Sequence, residues 1–113
     1  EPGRERAKIK SADAITQILF DAVADDLPFA SGDRVALMVN GLGGTPPAEL
    51  YVLYNKAAQL CAARGLTVAR NYVGEYCTAI DMAGCSITLL KLNDDYTKLW
   101  DAPVKTAGLR WGA

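Results

Sequence analysis

The residues most able to bind a ligand lie in one glycine-rich stretch, Gly41–Thr45, between a predicted strand and a predicted helix. Free backbone N–H groups at the start of a helix can bind a phosphate group. The stretch lacks the lysine of a Walker A loop, however, and Pro46 stands where a GxGxxG motif would place its third glycine. The sequence therefore favours a tight strand-to-helix turn and keeps phosphate binding as the weaker alternative.

Two carboxylates and two cysteines lie in or beside a single predicted loop. Glu75 and Asp81 could form an acid/base pair, but their geometry in a loop does not follow from the sequence, and loop carboxylates more often stay solvated or cap backbone N–H groups. Cys77 and Cys85 flank the same loop and could form a redox pair. With Cys61 they contain no CxxC motif, which favours free thiols in a reducing compartment and predicts a cytoplasmic protein.

Composition excludes several classes of function for these 113 residues. The sequence contains no histidine, which excludes an imidazole base and a histidine metal ligand, and we predict no metal site. The net charge of -1 provides no global basic field for nucleic acid or anionic lipid. The longest unbroken aliphatic run, Val35–Val39, is far shorter than the ~20 apolar residues that span a membrane.

The first predicted elements are a helix and a buried strand. Ser11 can cap a helix that begins at Ala12 and ends at Leu27–Pro28, because the residue before proline avoids the α region. Its predicted buried stripe consists of Ile15, Ile18, Leu19, Ala22 and Val23. The run Val35–Val39 has no polar alternation, as expected of a central strand covered on both faces.

A second helix should follow the glycine loop, with Thr45 as its N-cap, Pro46 as its first residue and Gly65 just past its end. Six residues of this helix are predicted to be buried: Leu50, Leu53, Tyr54, Ala57, Leu60 and Cys61. Alternation then predicts a strand over Leu66–Val73, which would be parallel to the first strand in a βαβ unit.

The C-terminal part should contain a third strand, Ile87–Leu92, that runs antiparallel to its predecessor, and a short helix capped by Asn93. Tyr96, Leu99 and Trp100 are predicted to pack inward, and Leu109 and Trp111 to anchor an irregular tail. The result is a single α/β domain over 1–113: a two-layer sandwich with a mixed sheet and helices on one face. Three strands make a thin sheet, so we expect upstream strands to complete it.

The first ten residues carry a local positive charge. Four basic residues, Arg4, Arg6, Lys8 and Lys10, stand against the two acidic residues Glu1 and Glu5. A solvated leader is the simpler interpretation of such a segment. The alternative is a piece of a site whose other half lies upstream.

Several blocks of the sequence together resemble one family. They are Glu1–Gly3, Val39–Pro46, Glu49–Tyr51, Val73–Thr78, Asp81–Lys91 and Leu99–Val104. In this order they resemble the second half of the dihydroxyacetone-binding subunit of dihydroxyacetone kinases, over essentially the whole chain. The resemblance is far more specific than any one of these motifs alone.

The resemblance implies a subunit of two α/β domains, of which this chain is the C-terminal portion of the second, with a mixed six-stranded sheet. In the family a histidine within a Gly-Ile-His-Gly-Glu-Pro-Gly pattern holds dihydroxyacetone as a hemiaminal. Only Glu1, Pro2 and Gly3 of that pattern are present here. We therefore expect the histidine two positions upstream of Glu1, no catalytic residue in this chain, and Glu1–Gly3 at the rim of the substrate site.

The resemblance also implies partners. In one branch of the family a separate subunit carries ADP and is rephosphorylated by a phosphocarrier of the phosphotransferase system; in the other a fused domain uses ATP. The end of the sequence, Leu109–Ala113, resembles the stand-alone subunits, which favours the first branch. The nucleotide and Mg²⁺ would sit on the partner, with no cofactor in this chain, and the subunit would be a homodimer. An erythrulose kinase and a non-catalytic regulator are the alternatives.

Overall fold

The computed structural model describes residues 3–113; Glu1 and Pro2 lie outside the described residues. The elements in chain order are α1 (Ala12–Ala24), β1 (Arg34–Gly41), α2 (Pro47–Ala63), β2 (Thr67–Gly74), β3 (Cys85–Lys91), α3 (Asp94–Trp100), β4 (Val104–Lys105) and β5 (Arg110–Trp111). The predicted order of helices and strands is confirmed, with two short C-terminal strands in addition. Within residues 3–113, no helix is long and apolar enough to cross a bilayer.

Helix α1 begins where predicted, because the Ser11 side chain accepts a hydrogen bond from the Ala14 N–H at 3.2 Å. The helix ends at Ala24, three residues before Leu27, and a turn leads to Pro28. The predicted end is therefore displaced by less than one helical turn.

The buried face of α1 differs from the predicted stripe. Thr16, Phe20 and Ala24 are buried, whereas Ile18 remains half exposed. Leu19 and Val23, two further members of the predicted stripe, pack only against the margin of the core. Thr16 can enter the core because its hydroxyl donates to the Ala12 carbonyl at 2.8 Å and leaves no unpaired polar group.

The main sheet has the strand order β2-β1-β3. Strands β1 and β2 are parallel, as predicted for a βαβ unit, with a register shift between Val35 and Ala36. Strand β3 runs antiparallel to β1 and therefore also opposite to β2, which confirms its predicted direction. It lies on the far side of β1, however, so the third strand does not pair with its predecessor.

One face of this sheet forms the core with α1 and α2. Val35, Leu37 and Val39 of β1 are buried in the same cluster as Phe20 and Leu50 of the two helices. Helix α2 packs on β1 and β2, and α1 packs on β3 and α2. The two long helices therefore lie on one face, as the two-layer prediction requires.

Helix α3 reaches the opposite face. Trp100 stacks on Tyr72 of β2 with ring centroids 4.6 Å apart, and Arg70 makes two hydrogen bonds, of 2.7 and 2.6 Å, to the Asp101 carboxylate. Tyr72 pairs with Met38 in register, on the face away from α1 and α2. The prediction of helices on one face alone therefore holds for α1 and α2 but not for the end of α3.

The ends of α2 test the capping predictions. Pro46 is the N-cap residue and Pro47 is the first helical residue, so the prediction of Thr45 as N-cap is wrong. Gly65, at φ 71°, takes the predicted left-handed position after the helix. The four apolar residues that α2 buries completely or nearly so were all predicted: Leu50, Leu53, Ala57 and Cys61.

The C-terminal part is more exposed than predicted. Asn93 caps α3 through a 2.7 Å hydrogen bond from the Tyr96 N–H, as expected. Tyr96 and Leu99 nevertheless face solvent, so of the three residues predicted to pack inward only Trp100 does so. The tail forms the small antiparallel β4–β5 hairpin, in which Trp111 is about half exposed rather than a buried anchor.

Candidate functional site

Two loops meet at one edge of the main sheet. Because β1 and β2 are parallel, their carboxyl ends lie at the same edge, which is where open α/β sheets commonly bind ligands. The first loop is 42–46, after β1, and the second is 75–84, after β2. We call them the carboxyl-edge loops.

Asn40, at the end of β1, holds the second loop in place. Its side-chain oxygen accepts from the backbone N–H groups of Tyr76 at 2.8 Å and Cys77 at 2.9 Å. Its amide donates to the Cys77 carbonyl at 3.0 Å and to the Ser86 hydroxyl at 3.3 Å. The residue is 1% exposed, so four hydrogen bonds satisfy one buried polar side chain.

The sequence contains a signal for the buried position of Asn40, which was not among the predicted site residues. It directly follows the apolar run Val35–Val39, and a polar residue at the end of a buried strand needs hydrogen-bond partners. Which backbone groups supply them depends on the path of a loop 35 or more residues later in the chain. That path does not follow from local sequence.

Thr45 joins the two carboxyl-edge loops instead of capping α2. Its hydroxyl donates to the Gly84 carbonyl at 2.6 Å and accepts from the Gly84 N–H at 2.9 Å. Backbone hydrogen bonds from Gly44 N to the Met82 carbonyl and from Ala79 N to the Leu42 carbonyl, both 2.9 Å, extend this contact. The loops therefore form one hydrogen-bonded unit.

The glycine loop uses its N–H groups within the protein. Gly43, at φ 102°, donates its N–H to the Glu75 carboxylate at 2.8 Å, and the Gly44 N–H is bound to Met82. A Cβ atom on Gly44 would lie 2.7 Å from the Met82 carbonyl oxygen. This geometry supports the strand-to-helix turn and disfavours the phosphate interpretation of Gly41–Thr45.

The structure also disfavours the acid/base interpretation of the two loop carboxylates. Glu75 accepts from the Gly43 N–H, and its carboxylate lies over Gly41, so it would have to move to admit a side chain there. Asp81 is exposed, with a left-handed φ of 53°. Glu75 therefore acts as a cap for a backbone N–H group, the ordinary role of a loop carboxylate.

The three cysteines are free thiols in the structure. Cys85 packs at the margin of the core under α1 and α2. Cys77 is exposed, and its backbone carbonyl is bound by Asn40. Asn40 pairs with Ser86 and lies on the other face of the sheet. Burial raises the pKa of Cys85, and it raises the pKa of Cys61 to about 11. This arrangement does not favour a redox pair.

The N-terminal segment lies along α1 and reaches the carboxyl-edge loops at one end. Ala7–Lys10 line a groove with Ile15 and Ile18 of α1, and Ile9 and Lys10 also line a cavity of about 430 Å³ beside Gly84. Of the predicted rim residues Glu1, Pro2 and Gly3, only Gly3 is described, and it is exposed. Among residues 3–113, no cluster of three Cys, Asp or Glu side chains could hold a metal ion.

The fold and its carboxyl-edge loops define an α/β domain, and comparison with known proteins identifies its family. The model of the Dak1 domain matches residues 1–108. The chain therefore belongs to the Dak1 family, in agreement with the resemblance found in its sequence blocks.

Curated relatives include kinases of small ketoses. The chain is 55% identical over 85 residues to the dihydroxyacetone-binding subunit DhaK of the PEP-dependent dihydroxyacetone kinase of Escherichia coli, with 75% of this chain and 24% of the relative covered. It is 40% identical to the L-erythrulose 1-kinase of Mycolicibacterium smegmatis, with 100% of this chain and 20% of the relative covered. The chain thus spans about a quarter or less of the length of these two relatives.

A solved structure with the same fold has a different role. The dihydroxyacetone kinase operon co-activator Dha-DhaQ superposes with a TM-score of 0.84 at 29% identity, over 91% of this chain and 33% of that chain. The family therefore includes both enzymes and a regulator, and the fold alone does not distinguish them.

Proposed function

We propose that this chain is the C-terminal portion of a dihydroxyacetone-binding subunit of a kinase that phosphorylates dihydroxyacetone to dihydroxyacetone phosphate. The observation that carries the proposal is the 55% identity to the E. coli subunit, within a Dak1 match over residues 1–108. The preferred phosphoryl donor system is the phosphotransferase system, acting through an ADP-carrying partner subunit in the cytoplasm. The subunit would act as a homodimer.

The role of the chain in this reaction would be to support and position the substrate. Glu1, Pro2 and Gly3 would form the rim beside a histidine expected two positions upstream of Glu1. Pro2 restricts the backbone there, and Gly3 permits a close turn. Since phosphoryl transfer depends mainly on positioning and charge stabilisation, a substrate held in one orientation lowers the barrier without further chemistry from this domain.

The phosphoryl donor would come from outside this domain. The N–H groups of Gly43 and Gly44, the best candidates for a phosphate cradle, are bound to Glu75 and Met82. ADP or ATP with Mg²⁺ would therefore be held by the partner subunit or by a fused domain, where it supplies the phosphoryl group and neutralises its charge.

A coupled assay of the longer polypeptide that contains this domain tests the proposal. Dihydroxyacetone and erythrulose are compared as substrates, each with phosphoenolpyruvate plus the phosphotransferase components and the ADP-loaded subunit, or with ATP alone. We expect turnover of dihydroxyacetone that depends on phosphoenolpyruvate. Turnover with ATP alone would reassign the donor, a preference for erythrulose would reassign the substrate, and no turnover of either ketose would refute the kinase proposal.

A regulatory function is the second candidate, favoured by the structural match to the Dha-DhaQ co-activator. The residue two positions before Glu1 discriminates the two functions: a histidine there supports catalysis, and any other residue supports a regulator. Mass spectrometry gives an independent measurement: the intact subunit is incubated with dihydroxyacetone, desalted rapidly, and its mass is compared with that of the untreated subunit. A retained adduct supports the enzyme, whereas transcriptional activation without an adduct supports the regulator.

A further inference from the structure

Four basic residues in the N-terminal segment form an exposed strip. Arg4, Arg6, Lys8 and Lys10 occur at every second position and are all exposed. Glu5 is the single acidic residue between them, although the chain as a whole has a net charge of -1. We call these four residues the basic strip.

The basic strip makes no ion pair within residues 3–113. The ion pairs of the structure use four other cations, Arg34, Arg64, Arg70 and Lys91. These four cations thus bind aspartates of the same domain, whereas those of the strip face solvent. An exposed cluster of one sign attracts ligands of the opposite sign over distances of about 10 Å at 0.1 M salt.

Acidic residues of the folded domain approach the basic strip at its two ends. Arg4 lies at a surface cavity that also carries Asp21, Asp25 and Asp26 of the α1 end. The first two of these aspartates are bound by Arg64 at 3.0 and 2.8 Å. At the other end, Lys10 reaches the cavity beside Gly84, where Glu49 is the facing carboxylate. The two middle residues of the strip, Arg6 and Lys8, line neither of these cavities.

We propose that the basic strip is a docking surface for the phosphate-bearing face of the protein that delivers the phosphoryl group. This inference rests on the proposed kinase function. Every phosphoryl donor is an anion, and the glycine loop has no free N–H groups at Gly43 and Gly44 to receive one. The strip supplies the complementary charge, and it directly follows Glu1–Gly3, the proposed rim of the substrate site.

Charge complementarity of this kind acts mainly on the association rate. The strip would attract the donor protein before contact and orient its phosphate-bearing face towards the rim. Its contribution should therefore disappear at high salt, while turnover at a saturating concentration of the donor protein should change little.

The test uses the intact subunit with Arg4, Arg6, Lys8 and Lys10 all changed to Gln. The matched control carries Lys56→Gln, Lys98→Gln, Lys105→Gln and Arg110→Gln, which remove the same charge from cations that make no ion pair among the described residues. The probe is the ADP-loaded partner subunit, and its association rate is measured in 20 mM and 500 mM salt. Thermal melting verifies that both variants are folded.

At low salt, we expect the strip variant to associate about ten-fold more slowly than the unsubstituted subunit, which is the lower end of the range for electrostatic steering. At high salt, the two should associate equally fast. The control should lose less than about three-fold. Equal losses in both variants, or no loss in either, would overturn the docking surface while the turnover of the unsubstituted subunit still supports the kinase function. An inactive unsubstituted subunit would overturn both.

A duplex DNA probe completes the design. If the strip variant loses affinity for DNA but associates normally with the partner subunit, the strip binds nucleic acid and the docking proposal is wrong. We expect weak, equal binding of DNA by the variant and its control, because the whole chain is slightly acidic.

Discussion

The carboxyl-edge loops and the basic strip are both irregular in backbone, but they differ in how their polar groups are used. At the loops, Thr45, Glu75 and the adjoining Asn40 of β1 bind backbone groups of the same domain. In the strip, four charged side chains extend into solvent without an ion pair within residues 3–113. The loops therefore contribute to the stability of this domain, whereas the strip carries a charge that no ion pair of the described residues neutralises.

This difference separates two kinds of experiment. Substitutions in the carboxyl-edge loops should change the free energy of unfolding, because they leave buried or close-packed groups without partners. Substitutions in the strip should leave the stability almost unchanged and alter encounters with other molecules. The predictions below test that separation, beginning with the largest effect.

The largest effect should be a complete loss of activity in the isolated 113-residue chain. The substrate-bearing histidine is expected upstream of Glu1, so we predict no dihydroxyacetone phosphate above the blank, even with all partner components present. The intact subunit, assayed in parallel, serves as the positive control. Product formed by the isolated chain would show that these 113 residues carry the chemistry after all.

Among the substitutions that affect the carboxyl-edge loops, Asn40→Ala at the end of β1 should cause the largest loss of stability. It leaves the Tyr76 and Cys77 N–H groups without their acceptor, which predicts a loss of about 2–4 kcal/mol in the free energy of unfolding. Urea denaturation of the chain measures it. Asn55→Ala, at an exposed position of α2, is the control and should change stability by less than about 0.5 kcal/mol.

The aspartate variant refines this result. Asn40→Asp keeps an acceptor for the two N–H groups but replaces the amide that donates to the Cys77 carbonyl and Ser86. We therefore expect a loss similar to that of the alanine variant. Full stability of Asn40→Ala would mean that the second carboxyl-edge loop is held by other contacts.

Valine at Gly43 or Gly44 should lower stability by about 1–3 kcal/mol, for two different reasons. At Gly43 the backbone has φ 102°, which side chains rarely adopt. At Gly44 the new Cβ atom would meet the Met82 carbonyl oxygen at 2.7 Å. Gly108→Val, where no atom lies within 4 Å of the added Cβ, is the matched control. If both loop variants melted normally but the intact subunit lost turnover, phosphate binding by this loop would be supported again.

The smallest effect should come from the ion pair between Arg70 and Asp101, away from both regions. The Arg70 guanidinium lowers the pKa of the Asp101 carboxyl. A lowered pKa in the folded state stabilises the protein above the unfolded pKa, about 3.9, and this stabilisation is lost as the pH falls through the folded pKa.

Asp101→Asn should therefore reduce Tm at pH 7 by about 1–3 °C, and this reduction should become smaller as the pH is lowered through the folded pKa of Asp101. Melting curves over this pH range measure the difference. Asp26→Asn, at an exposed residue without an ion pair among the described residues, provides the baseline. An equal shift in Tm across the whole pH range would exclude the ion pair as its cause.

Local sequence signals predicted most of the fold. Ser11 and Asn93 cap their helices as expected, and Gly65 ends α2. These features depend on neighbours three or four residues away, so their physical causes lie within the sequence segment itself. The parallel arrangement of β1 and β2 followed because a helix connects them.

Features that depend on distant partners were not predicted. Thr45 looked like an N-cap because threonine commonly has that role, but its hydroxyl finds Gly84, 39 residues later. The core face of α1 includes Thr16 rather than Ile18, because burial depends on where β3 and α2 lie and not on hydrophobicity alone. Among the candidate site residues, Glu1–Gly3 came only from the family resemblance, and their role stays a prediction.

The stack of Trp100 on Tyr72 has a practical consequence in spectroscopy. At 4.6 Å between ring centroids, light absorbed by Tyr72 should be transferred efficiently to the indole of Trp100, whose emission then reports whether α3 touches the sheet. The other tryptophan, Trp111, is 46% exposed in the β4–β5 hairpin and contributes a solvent-sensitive background that Trp111→Phe would remove. The intrinsic fluorescence of this domain can thus follow the release of one short helix separately from the melting of the core.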